Sequence, residues 1–314
     1  MTEPAALFAH SRVRPGRRDH PARRHRPGRQ HAHRGFRWML APATLFVLVM
    51  IGFPVLDTLW LSHFSFHFGS AAHPIGLGNY ATLLHDRQFW NSLEITFLLY
   101  VLALALQLVS GLYLALLLNR ARRLRRLLRT LLVSPFVMPG VVVGMMFLVI
   151  FDPTIGLANW LLSLFGIPPA LWLASPTWVI PTVALIDTWQ WAPFVALILL
   201  AGLQSLPSDV YEAAAIDGAS GFSLLRRITL PLLAPSLLVA AILRSVDLLR
   251  FFDVIYVTTE GGPGNASDTL NIYAFRQGFV FLNIGYASAL MVALTAVVIV
   301  VVIALTRLRR ITAW

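Results

Sequence analysis

Six long apolar runs, separated by polar or arginine-rich stretches, organise the sequence. They cover about residues 38–62, 95–118, 131–151, 178–203, 232–258 and 286–305. Each reaches the roughly 20 residues that a helix needs to cross the hydrocarbon core of a membrane. Helices are required there, because lipid offers no partner to an unpaired backbone N–H or C=O. The pattern predicts an all-α fold, a polytopic membrane protein with six transmembrane helices. The fifth run is the least apolar of the six.

Between the fourth and fifth runs, residues 204–231 form a patterned polar segment, too long for a turn. Ser205 or Ser208 can cap a helix whose first turn tolerates Pro207. That helix is expected through Val210 to Asp217, with Gly218 ending it in the left-handed conformation that glycine adopts cheaply. A second short helix is expected over about 220–228, before Pro231 opens the fifth span.

Composition agrees with the pattern: mean hydropathy is +0.71 and 57% of residues are hydrophobic, values that mark an integral membrane protein. Arginine placement then orients the bundle. Ten arginines precede Trp38, and six lie in the link after the second run (Arg120, Arg122, Arg123, Arg125, Arg126, Arg129). Arg226 and Arg227 follow the fourth run, and Arg307, Arg309 and Arg310 the sixth; the opposite loops hold Arg87 and Arg276. Basic loops stay in the cytoplasm, so both termini and the 204–231 segment are predicted inside. The first run is longer than a signal's apolar core and reads as an anchored span. Residues 1–36, rich in Arg, Pro, His and Gly, cannot bury enough apolar surface to fold alone and are expected to be a disordered cytoplasmic tail. Beside a membrane span, its charge suits anionic lipid headgroups rather than nucleic acid.

The chain has no lysine and no cysteine, so all 25 basic residues are arginine. Without lysine there is no Walker A phosphate loop, and without cysteine no disulfide, thiolate metal site or cysteine nucleophile. No nucleophile–base pair in register marks an enzyme. The nine histidines fall in the tail and in the 63–85 loop, outside every apolar run. His63 and His67 have helical i,i+4 spacing, but a solvated loop accounts for them and no metal is expected. ATP, if it drives this protein, must be held by another polypeptide.

Within the 204–231 segment, Glu212-Ala213-Ala214, then Gly218, then Ile228, Leu230 and Pro231, with Asp217 before the glycine, stand at fixed spacing. This resembles the EAA loop of ABC importer permeases. The surroundings are similar to the carbohydrate branch, the oligosaccharide and glycerol-phosphate type. The likeness includes the 129–140 stretch, Phe151-Asp152-Pro153, the 187–194 and 202–207 stretches, the 243–256 stretch and Glu260-Gly261-Gly262-Pro263. It covers about residues 38–310. The resemblance implies a type I importer transmembrane domain at 37–314 and no enzymatic activity of its own. It implies a second, homologous permease in a heterodimer, two ATPase subunits that hold ATP and Mg, and an extracytoplasmic sugar-binding protein. Glu212, Ala213, Ala214, Asp217, Gly218, Ile228, Leu230 and Pro231 would couple the ATPase to the bundle, in the cytoplasmic membrane of a bacterial-type cell.

Charges inside spans cost roughly 2.5–3.5 kcal/mol each and call for a reason. The fifth run carries Arg244, Asp247, Arg250 and Asp253 at successive i,i+3 steps with alternating sign. Neighbours at that spacing touch on a helix, so a self-neutralising packing ladder is one reading. A polar wall of a sugar path is the other. Asp187, Trp189 and Trp191 in the fourth run are further path candidates, because aromatic faces stack on sugar rings and a carboxylate accepts from hydroxyls. The resemblance implies a di- or oligosaccharide as the cargo. A secondary transporter is the rival class; it would need no ATPase.

Overall fold

The computed structural model describes residues 29–120 and 125–312. By its contacts the chain divides into two units, residues 1–54 and 55–314. Residues 1–28 of the predicted tail lie outside the described residues. The backbone is helical from Arg29, in α1 (Arg29–Leu61), so the first helix takes in residues assigned above to the tail. Helical backbone bonds close within the segment, which lets a polar extension continue a span. The part of α1 from Ala41 to Leu61 is long and apolar enough to cross the membrane.

In the second unit, a two-stranded antiparallel ribbon, β1 (Phe64–Ser65) and β2 (His73–Pro74), and a short helix, α2 (Gly78–His85), follow. The second span is α3 (Arg87–Arg120), longer at its N-terminal end than the apolar run alone indicates. It packs extensively on α7 (Val179–Gln204), the fourth span. Gly111 permits this approach: a Cβ there would lie 2.6 Å from Val195 Cγ1. Below it, Ala115, Leu118, Val195, Leu199 and Leu233 form one buried apolar cluster.

The third run is not one straight helix. It divides into α4 (Arg125–Val137) and α5 (Gly140–Ile150), and the stretches Thr130–Val137 and Gly140–Ile150 meet at 97°. Pro139 causes the break, having no N–H for the ladder and disfavouring a helical Met138 before it. A short helix, α6 (Leu157–Leu164), precedes α7.

The fifth run also departs from expectation. After α8 (Ser208–Ile216), helix begins at α9 (Gly221–Leu224) and passes through a π-helical turn (Leu225–Thr229) into α10 (Leu230–Leu249). The expected second short helix is therefore the base of the fifth span. Pro231 sits in the first turn of α10, where the preceding π turn absorbs it. The span then stops at Leu249, and α11 (Asp253–Thr258) starts after a break. Then come α12 (Leu270–Phe275), a π-helical turn (Arg276–Val280) and α13 (Ile284–Thr312), which contains the sixth span. Among the described residues, five helices have the length and composition of spans, and the bent α4–α5 pair, taken as one span, makes a sixth. The result is a mostly helical, polytopic membrane protein.

The loop ends of α3, α12 and α13 are tied by polar contacts. The Asp86 carboxylate accepts from the Tyr273 hydroxyl at 2.5 Å and from the Tyr286 hydroxyl at 2.6 Å. Burial works to raise the Asp86 pKa, but these bonds and the backbone N–H of Gln88 and Phe89 hold it below the usual carboxylate range. Burial, and then the bond to Asp86, push the Tyr273 phenol up to about 12. Asp268, fully buried, accepts from Gln88 at 2.5 Å and pairs with Arg276.

Candidate functional site

The side chains of Asp187, Trp191, Arg244, Asp247, Arg250 and Asp253 line one cavity of about 440 Å³. Six of the seven predicted path residues thus converge. The seventh, Trp189, does not: its ring packs edge-on to Phe147, 5.3 Å between centroids. On a helix, residues two positions apart point to different sides, so Trp189 and Trp191 of α7 cannot share one surface.

The centre of the cavity wall is Arg244, 1% exposed. Its Nη2 donates to Asp187 Oδ2 at 2.9 Å, its Nη1 to Asp247 Oδ2 at 3.1 Å and its Nε to Gln107 Oε1 at 2.8 Å. Gln107 Nε2 also donates to Asp187. Two helices therefore supply opposite charges to one buried pair, and a third helix supplies the amide that bridges them. A buried ion pair needs further hydrogen bonds to offset its desolvation, and Gln107 supplies one to each member, leaving Asp187 Oδ1 without a partner. Arg244 Cζ also lies 4.2 Å from the centroid of the Trp191 ring, so one indole face is covered by the guanidinium and unavailable to a sugar.

The charged ladder expected along the fifth run is cut short. Arg244 and Asp247 pair as i,i+3 neighbours on α10. Arg250 falls at the helix end, with φ −108° and ψ 15°, and Asp253 begins α11, so the spacing beyond Asp247 is not helical. Arg250 Nε bonds the Val246 carbonyl at 3.2 Å instead. The break is held by Asn271, whose Nδ2 donates to the Arg250 carbonyl at 2.7 Å. The other break is held in the same way: Gln190 Nε2 donates to the Met138 carbonyl at 2.8 Å. Irregular backbone at membrane depth persists only where protein or a cavity satisfies it, and both breaks border this cavity. Gln107, Gln190 and Asn271 were not singled out in the sequence. For Gln107 and Gln190, an uncharged amide inside an apolar run was the available signal; Asn271 lies between runs and carries none.

The second candidate element is the 204–231 loop. Here α8 ends in a Schellman motif. The Gly218 N–H donates to the Ala215 carbonyl at 3.1 Å and the Ala219 N–H to the Ala214 carbonyl at 2.9 Å. Gly218 has φ +76°, the conformation expected for it. The N-terminus differs from expectation: Pro207 is the cap residue, and neither Ser205 nor Ser208 makes a side-chain capping bond. Ala214 is buried and Ala213 exposed, so only Ala213 of the two is open to a partner. Glu212, Ala213, Asp217 and Pro231 are exposed, with Ile228 and Leu230 partly buried. Ile216 is 87% and Phe222 72% exposed. The Tyr211 hydroxyl donates to Thr229 Oγ1 at 3.3 Å, linking α8 to the base of the fifth span. Among the described residues, no group of three or more His, Cys, Asp or Glu side chains is placed to hold a metal ion.

Residues 107–313 match the family described as "Binding-protein-dependent transport system inner membrane component". The chain is 40% identical over 248 residues to the trehalose/maltose transport system permease protein MalF of Thermococcus litoralis, covering 79% of this chain and 83% of that one. It is 36% identical over 260 residues to the sulfoquinovosyl glycerol transport system permease protein SmoG of Agrobacterium fabrum, covering 82% and 84%. In fold it is similar to a chain of a bacterial alginate ABC transporter crystallised with an alginate pentasaccharide-bound periplasmic protein. That likeness has a TM-score of 0.79 and 24% identity, over 90% of this chain and 96% of the other.

Proposed function

The chain belongs to the family of binding-protein-dependent transport system inner membrane components, and on that premise we propose that the cavity around Arg244 is its sugar path and the Glu212 loop its coupling element. It is a transmembrane permease component of a carbohydrate ABC importer, a multi-pass protein of the bacterial-type inner membrane and not an enzyme. One observation carries the assignment of parts. The two helices that bring Asp187 and Arg244 to the cavity, α7 and α10, are the two that run into and out of the 204–231 segment. A displacement of that segment therefore moves two walls of the cavity.

In this reading the chain forms half of the translocation path, beside a second, homologous permease. Two ATPase subunits bind ATP and Mg and seat on exposed Glu212, Ile216 and Phe222, and a binding protein delivers the sugar from outside. Trehalose and maltose, in the name of a 40% identical relative, point to a disaccharide. Closure of the ATPase pair carries the loops inward and opens the cavity outward; hydrolysis resets it. Such coupling requires that the two states differ in their contacts at the loop.

The test is purification of the tagged chain from native membranes in mild detergent, with copurifying proteins identified and sugar-stimulated ATPase measured. A companion permease and an ATPase should be recovered, and Glu212→Ala should lower stimulated ATPase and uptake on the order of tenfold without reducing the amount of inserted protein. Uptake that persists in Glu212→Ala, or that follows an ion gradient instead of ATP, would overturn the assignment.

A further inference from the structure

The lining of the cavity is unbalanced in charge. Asp187, Asp247 and Asp253 contribute carboxylates, and Arg244 and Arg250 guanidinium groups. Arg244 does not face a ligand freely: Nε, Nη1 and Nη2 are each bonded to a wall residue, and Trp191 lies against its plane. Arg250 is the remaining cation of the lining, and Asp247 and Asp253 stand three positions to either side of it. Both of these aspartates are exposed, Asp247 with its side chain 48% accessible. Asp187 is fully buried in the wall, and its Oδ1 has no hydrogen-bond partner. An ionised carboxylate only accepts hydrogen bonds. The charged groups left for a ligand are thus two negatively charged acceptors, Asp247 and Asp253, with one guanidinium, Arg250, between them.

Resting on the sugar-path reading above, we propose that this cavity passes uncharged, hydroxyl-rich sugars and turns away anionic ones, those bearing a uronate, phosphate or sulfonate. A sugar hydroxyl donates to Asp247 or Asp253 and accepts from Arg250, so a neutral sugar can use each exposed charged group of the lining. An anionic group gains one guanidinium and meets the carboxylates beside it. Like charges brought together in a water-poor cleft repel strongly, and among the described residues the lining offers no second free guanidinium to offset that. Asp253 and Asp247 are the specificity-determining residues in this account, and Arg244 positions Asp247.

The experiment is equilibrium binding to the purified whole complex, without added binding protein, so that delivery does not set the answer. The probes are trehalose, maltose and sucrose, each beside its uronate analogue. At least one neutral disaccharide should bind about tenfold more tightly than its uronate. The gap should widen at low ionic strength and narrow in Asp253→Asn, which leaves the buried Arg244 network intact, and in Asp247→Asn. A uronate that binds wild type as well as its neutral parent, or a gap unchanged in both variants, overturns the proposal while the sugar-path reading stands. If no sugar of either kind binds a complex that hydrolyses ATP, the sugar-path reading falls and this proposal with it.

Discussion

At the residue scale, Arg244 concentrates the physics of the site. Its charge is tolerable inside the bundle because Asp187, Asp247 and Gln107 surround it with acceptors drawn from three helices. Removing one partner of such a pair leaves the other charge buried and unpaired, at a cost of about 3–5 kcal/mol. Arg244→Ala should therefore lower stability by that order, measured as earlier loss of folded, monodisperse protein on heating in detergent. Replacing Arg244 by Met together with Asp187 and Gln107 by Leu should recover most of the loss, since neither a charge nor a buried amide is then stranded. A single variant as stable as wild type would mean that water reaches the pair. The charges themselves were legible as unusual residues in apolar runs. So was the i,i+3 pairing of Arg244 with Asp247; the pairing with Asp187 and Gln107 was not, because these lie 57 and 137 positions from Arg244.

At the element scale, the spacing within the loop motif has a physical source. Ala214 and Gly218 occupy the two positions that a Schellman motif couples, the carbonyl that receives the 6→1 bond and the left-handed residue that turns the chain. A Cβ built at Gly218 meets nothing within 4 Å, so backbone conformation, not space, demands glycine there. L-residues in that region cost roughly 1–2 kcal/mol, with asparagine among the better tolerated. Gly218→Asn should consequently retain most sugar-stimulated ATPase, whereas Gly218→Val should lose most of it, both inserting normally. Equal activity in the two variants would separate the loop's shape from coupling. The glycine's role was readable from sequence because it depends on neighbours four residues away. The breaks in the third and fifth runs were less so: Pro139 is a local signal, but Arg250–Phe252 carries none, and Asn271 from a distant helix holds it open.

At the scale of the whole molecule, the arginine-rich loops predict that both termini and the 204–231 segment are cytoplasmic. The absence of cysteine makes this directly testable, since any thiol introduced is the only one in the chain. Ser163→Cys, exposed in α6, should react with a membrane-impermeant maleimide in intact cells. Ser220→Cys, exposed beside α8, should react only after permeabilisation. The reverse pattern would invert the orientation and remove the loop from the reach of an ATPase.

Apolar run length, arginine distribution and the loop motif determined by themselves that the protein is a multi-span membrane permease and which segment ends the fourth span. These features act locally: a segment crosses lipid, or a glycine turns left-handed, whatever lies far away in sequence. The cavity belongs to tertiary structure alone. It exists because α3, α7 and α10 bring Gln107, Asp187 and Arg244 within bonding distance, and because distant amides satisfy two interrupted helices. Only that packing decided that Trp191 borders the cavity and Trp189 does not, and that Arg244 is buried in the wall while Asp247 and Asp253 stay exposed on the cavity.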